Sequence, residues 1–157
     1  MIRLYHSSDV SVVKPDIIHS RDFLDFGKGF YLTSIHEQAV RYAQRFLRRQ
    51  KMAWLNSYEF EFDPSIWKFL KFNSYDKDWL NFVAKCRAGK DNTDYDIVIG
   101  GIANDKVIQT LDRYFEGELS ESDTLGLLKY EKPNIQYCIR SQKMLDECLR
   151  HIESKQL

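Results

Sequence analysis

Three dispersed residues, His6, Tyr31 and Gln136, are of types that can hold and polarise a small molecule. His6 closes a short β-branched and aromatic run, Ile2–Ser7, and is followed by two serines, Ser7 and Ser8. Small hydroxyl residues just beyond a strand end let a ligand approach the backbone. Taken alone, His6 reads first as a hydrogen-bonded structural histidine. Tyr31 follows the tripeptide Gly27-Lys28-Gly29; its ring suits either a core or a stack on a planar heteroaromatic. Gln136 lies between Ile135 and Tyr137, and a polar residue in such a run faces water or meets a ligand. The Gly-Lys-Gly turn resembles a phosphate loop only loosely.

Other chemistries lack their residues. His6, His19, His36 and His151 share no metal-ligand spacing, and neither a serine-nucleophile elbow nor a P-loop occurs, so no metal is expected. Cys86, Cys138 and Cys148 form no C-x-x-C and read as reduced thiols used as filler. Lys plus Arg equals Asp plus Glu at 23 each, which argues against a dedicated nucleic-acid binder but leaves room for a local basic stripe. Arg41, Arg45, Arg48, Arg49 and Lys51 form such a stripe, suited to a solvated helix face or to a phosphate backbone. No apolar run approaches the roughly 20 residues of a membrane span, and the N-terminus has no signal-peptide core. The expectation is a cytoplasmic protein with no membrane partner.

The elements that must position these residues read as one mixed α+β domain over residues 1–157. Strands are expected at Ile2–Ser7, Phe30–Thr33 and Trp54–Phe62, the last alternating Tyr58, Phe60 and Phe62 against Glu59, Glu61 and Asp63. Trp67–Phe72 alternates again and is a candidate to pair with it. Ser20–Phe26 carries no clear pattern. Ser34 reads as an N-cap, with Glu37 as capping-box partner, for a helix running to about Gln50. Asp76 or Asp78 caps a helix that stops near Gly89, and Tyr95–Gly101 is a buried strand. Helices over Val107–Phe115 and about Ser122–Tyr130 follow, then a strand at Ile135–Arg140. Gln142–Ile152 reads as a helix or a strand-helix mix, with His151 near a frayed end.

Taken together, the motifs resemble the ADP-ribosyltransferase superfamily, on its diphtheria-toxin-like and poly-ADP-ribose-polymerase side. Leu4-Tyr5-His6-Ser7-Ser8 is similar to its L-[WY]-H-G-S strand, with Ser7 where glycine is usual. Phe26-Gly27-Lys28-Gly29-Phe30-Tyr31-Leu32 matches F-G-K-G-[IF]-Y-[FL] throughout. Tyr42 stands at the offset of that superfamily's second tyrosine, and Gln136-Tyr137-Cys138-Ile139 fits E-Y-[IV]-[VI] with Gln136 in place of glutamate. A closer resemblance is to an uncharacterised bacterial branch carrying P-D, S-R, D-F-G-K-G-F-Y-L-T, Y-D-I-V-x-G-x-x-A-N-D and Q-Y-x-[FI]-R-T. Those blocks fall here at Pro15-Asp16, Ser20-Arg21, Asp25–Thr33, Tyr95–Asp105 and Gln136–Ser141.

The resemblance implies an ADP-ribosyltransferase-like fold of split mixed β-sheets flanked by helices, and NAD as the substrate. It implies an H-Y-Q triad of His6, Tyr31 and Gln136. His6 would bond the adenosine-side ribose and the Ser7 backbone would hold the nicotinamide amide. Ser8 would reach a ribose, and Tyr31 and Tyr42 would sandwich the ring. Lys28 and Arg21 would meet the pyrophosphate, with Gly29 in the binding turn. Gln136 keeps the hydrogen bonding of the family's glutamate but loses its charge, which disfavours chain elongation and leaves mono-ADP-ribosylation of a protein or nucleic-acid acceptor. By analogy, a toxin-like role makes a cognate antitoxin a candidate partner. A weakly catalytic NAD- or ADP-ribose-binding module, an NAD glycohydrolase and an RNA 2′-phosphotransferase are the alternatives. Oligomeric state stays open.

Overall fold

A computed structural model describes residues 1–22 and 24–157. Phe23, within the patternless Ser20–Phe26 stretch, lies outside the described residues. In chain order the elements are β1 (Ile2–Ser8), β2 (Phe30–Thr33), α1 (His36–Arg48), β3 (Trp54–Phe60), β4 (Phe69–Lys71), α2 (Lys77–Arg87), β5 (Ile97–Ile102), α3 (Asp105–Phe115), α4 (Glu121–Leu128), β6 (Asn134–Ile139), α5 (Gln142–Cys148) and β7 (Leu149–Gln156). The fold is α+β: one mixed seven-stranded sheet, ordered β4-β5-β6-β2-β1-β3-β7, flanked by helices. Among the described residues only β4 and β5 run parallel.

The sheet is narrowest at its middle. Every residue of β1 from Ile2 to Ser8 has a partner on β3, whereas β1 meets β2 at the single pair Tyr5↔Thr33. The two halves expected as split sheets are therefore one sheet hinged on one pair, with β1 and β2 parting beyond it.

Successive strand residues alternate faces, so the register sorts the core into two. One face carries Val98 and Cys138 against Phe26, Trp79, Leu80, Val83, Val107 and Leu111, from the turn before β2 and from α2 and α3. The other carries Leu4, Phe30, Leu32, Tyr58, Ile97 and Ile139 against Met144 and Leu145 of α5.

Several local expectations need correction. Trp67–Phe72 does not pair with β3; β4 pairs in parallel with β5, because β1 and β7 already occupy both edges of β3. Ser34 does not cap α1. Ile35 is the N-cap residue, with no side-chain cap bond, and Thr33 Oγ1 instead accepts from Ile35 N and donates to Gln38 Oε1. The helix ends at Arg48, and Gln50 turns left-handed at φ 58°. His151 is not on a frayed end: it lies on β7, edge-on to Tyr58, its Nε2 2.8 Å from Ser154 Oγ. Asp76, Asn104 and Ser120 cap α2, α3 and α4 through their side chains.

Candidate functional site

His6 sits at the fork where β1 and β2 part. Its Nδ1 lies 2.7 Å from the carbonyl oxygen of Tyr31. A carbonyl only accepts, so Nδ1 carries the proton and Nε2 of the neutral ring is an acceptor. Burial is the larger influence on this imidazole and lowers its pKa; the bond to Tyr31 opposes that only in part. The ring packs against Phe30, centroids 4.2 Å apart and planes tilted by 30°, and Nε2 has no protein hydrogen bond among the described residues.

The imidazole has a consequence for the strand edge. Tyr31 turns its carbonyl towards β1, and so does Thr33 two residues on, which makes Tyr5↔Thr33 a hydrogen-bonded pair. Ser7, two residues beyond Tyr5, directs its N–H and C=O to the same side. Its ladder partner would be Tyr31, but that carbonyl is held by His6 and no Ser7↔Tyr31 pair forms. Ser7 therefore presents one backbone donor and one acceptor to the fork. Its hydroxyl is buried and donates to Ala39 O, pinning α1 to β1, which explains a serine where the motif has glycine.

Tyr31 and Gln136 share the opposite face from His6. The row Tyr5–Thr33–Gln136 crosses β1, β2 and β6, and Tyr31 lies two residues along β2, opposite Cys138. Such diagonal neighbours are roughly 7–8 Å apart. The Gln136 amide is half-buried and makes no protein hydrogen bond among the described residues. The Tyr31 hydroxyl is engaged: it donates to Gly27 O at 2.6 Å and accepts from Phe26 N at 3.1 Å. Burial raises its pKa far above the ordinary phenol value, so it stays protonated. The phenol thus folds the Gly-Lys-Gly turn onto β2. Gly29 is required there because a Cβ would stand 2.6 Å from Cys138 Sγ and 2.8 Å from Ile139 O.

The remaining sequence candidates spread outward. Tyr42 is 44% exposed on α1; the Arg45 guanidinium lies 4.2 Å above its ring and bonds its hydroxyl. Ser8 Oγ accepts from Val10 N, and Arg21 is exposed. Lys28 does not join the fork. It lines a separate cleft of about 620 Å³ together with Asp22, Asp91, Asp94, Asp96 and Arg140. That surplus of carboxylates is unfavourable to a pyrophosphate.

Sequence reading missed the two charged residues that tie the motif blocks together. Asp25 holds Arg87 of α2 through one oxygen (2.6 and 2.7 Å) and Ala103 N through the other at 2.9 Å. Arg140, after β6, pairs with Asp91 at 2.7 Å, and its backbone N–H bonds Asp96 O. Desolvation works to raise the Asp91 pKa, but the bonds from Thr93 and Arg140 outweigh it and hold the carboxyl below its usual range. The signal was present: Asp25, Asp96, Ala103 and Arg140 all fall inside the quoted motifs.

The fold and site thus define an α+β domain with an opened strand edge beside an unengaged glutamine. The chain belongs to the family described as "Protein of unknown function (DUF3990)", whose model matches residues 2–151. No curated protein and no solved structure matches it.

Proposed function

We propose that this protein is an NAD-dependent mono-ADP-ribosyltransferase that moves ADP-ribose from NAD to a macromolecular acceptor and releases nicotinamide. The observation that carries the reading is the Ser7 backbone edge, left without a β2 partner where His6 takes the Tyr31 carbonyl. A strand edge offers one N–H and one C=O, the complement of a carboxamide, which has one acceptor and one donor group.

Breaking the bond from nicotinamide nitrogen to ribose C1′ needs little acid catalysis, because the cationic ring leaves as a neutral base. The developing oxocarbenium character at C1′ needs orientation and electrostatic support. Ser7 would grip the carboxamide, Tyr31 would bound the ring, and the Gln136 amide would bond the ribose 2′-hydroxyl. Nε2 of His6 can accept a hydrogen bond from a ribose hydroxyl. The acceptor nucleophile then bonds C1′ and gives its proton to solvent, the electron pair of the broken bond having left with nicotinamide. Lys28, on the acidic cleft, has no assigned role in this scheme.

No helix among the described residues is long and apolar enough to cross a membrane, and a cytoplasmic enzyme fits the reading. The direct test is nicotinamide release from NAD by the purified protein. Release lost in His6→Ala, with the circular dichroism spectrum retained, supports the reading; equal release in the variant contradicts it. NAD binding without release would favour a binding module, as the uncharged Gln136 amide permits.

A further inference from the structure

On α1, Arg41, Arg45 and Arg48 stand at i, i+4 and i+7, one row on the side away from the buried Ala39 and Ala43. The row rises about 10 Å along the helix. All three are exposed, and none has a carboxylate within ion-pair distance among the described residues. Arg49 and Lys51 extend it, Lys51 being paired with Asp9 at 3.6 Å. Glu37 is the helix's single acid, so α1 carries a local excess of positive charge within a chain of zero net charge.

The row borders the proposed site. Gln38 reaches Thr33 on the sheet, in the same row as Gln136. Tyr42 stands four residues after Gln38, hence on the same helix flank, and Arg45 lies over Tyr42. The helix therefore turns one flank to the site floor and carries its cations on the adjoining rim.

We infer that this rim is the acceptor surface and that the acceptor is a single-stranded nucleic acid whose phosphates lie along Arg41, Arg45 and Arg48. The inference rests on the transferase reading above. A row of unpaired arginines matches a phosphate backbone, which a protein binds with release of counterions. An unpaired strand suits the geometry better than a duplex, because its bases and ends are free to enter the site while its phosphates stay on the rim.

Fluorescence anisotropy with a short labelled single-stranded RNA or DNA, with its duplex as comparison, tests the surface apart from catalysis. Three neutralised single-strand phosphates give a log–log salt slope of about −2, roughly a 15-fold loss of affinity between about 50 and 200 mM salt. Arg41→Gln/Arg48→Gln should reduce that loss to about threefold, and cut label transfer to the oligonucleotide about tenfold. Nicotinamide release without acceptor should be unchanged in this variant. Undetectable oligonucleotide binding alongside normal nicotinamide release would overturn the surface and leave the transferase reading standing. Binding with no nicotinamide release from any preparation would overturn the transferase reading and the acceptor role with it. Label found on a lysate protein and indifferent to the double substitution, or affinity for duplex equal to that for the single strand, would also overturn the inference.

Discussion

The Tyr31 hydroxyl joins two backbone groups of the Gly27 turn, so its role is structural as well as proposed catalytic. Tyr31→Phe should cost about 1–3 kcal/mol in urea unfolding, since Gly27 O and Phe26 N lose their partner; an unchanged midpoint would show that they find another. His6 makes a pH prediction. Its folded-state pKa lies below the ordinary 6.5, so the folded protein binds the proton less readily than the unfolded chain. The stability it contributes is complete above about pH 6.5 and is lost as pH falls towards the folded pKa, with a slope of at most about 1.4 kcal/mol per pH unit. His6→Asn should flatten that slope in chemical denaturation between pH 7 and 5; an identical slope would assign it to other groups. Gln136→Glu should raise nicotinamide release, because a carboxylate bonds the ribose hydroxyl about twice as strongly as a neutral amide. No change in rate would remove Gln136 from the site.

At the scale of elements, most helices and strands were legible in the residues because periodicity and caps are local. Of the two candidate caps Asp76 and Asp78 the first caps α2, and the β-branched run before Gly100 is a buried strand. What was not legible depends on partners distant in sequence. Leu149–Gln156 is polar and alternates weakly, yet becomes β7 because β3 offers it a full edge. The α1 N-cap moved from Ser34 to Ile35, and Thr33, anchored between Tyr5 and Gln136, puts its hydroxyl at the helix entrance against Ile35 N and Gln38. Asp25 stands in the sequence only as the first residue of the Asp25–Thr33 motif block, and the fold brings Arg87 and Ala103 to it. Asp25→Asn should destabilise by about 2–3 kcal/mol, the range for losing hydrogen bonds to a charged group. Thermal unfolding checks it, and an unchanged transition would make the motif aspartate a functional rather than a structural residue.

For the whole molecule, Tyr5↔Thr33 is the one ladder pair among the described residues that joins the half-sheet β7-β3-β1 to the half-sheet β2-β6-β5-β4, beside the core the two halves share on the Leu4 and Ile139 face. The fork opens where the motifs converge, with His6 on one face and Tyr31 and Gln136 on the other. Motif order names the residues that meet at the fork without giving the strand order. It could not reveal that His6 grips the Tyr31 main chain rather than its ring, since side-chain direction follows from register. The measurement that bears most directly on the transferase claim is incubation with NAD labelled in the adenylate half and a crude lysate, followed by separation of protein and nucleic acid. Label on one macromolecular class, with stoichiometric free nicotinamide and loss of both in His6→Ala, is the predicted result. Nicotinamide released with no macromolecule labelled, or neither product formed, would contradict it.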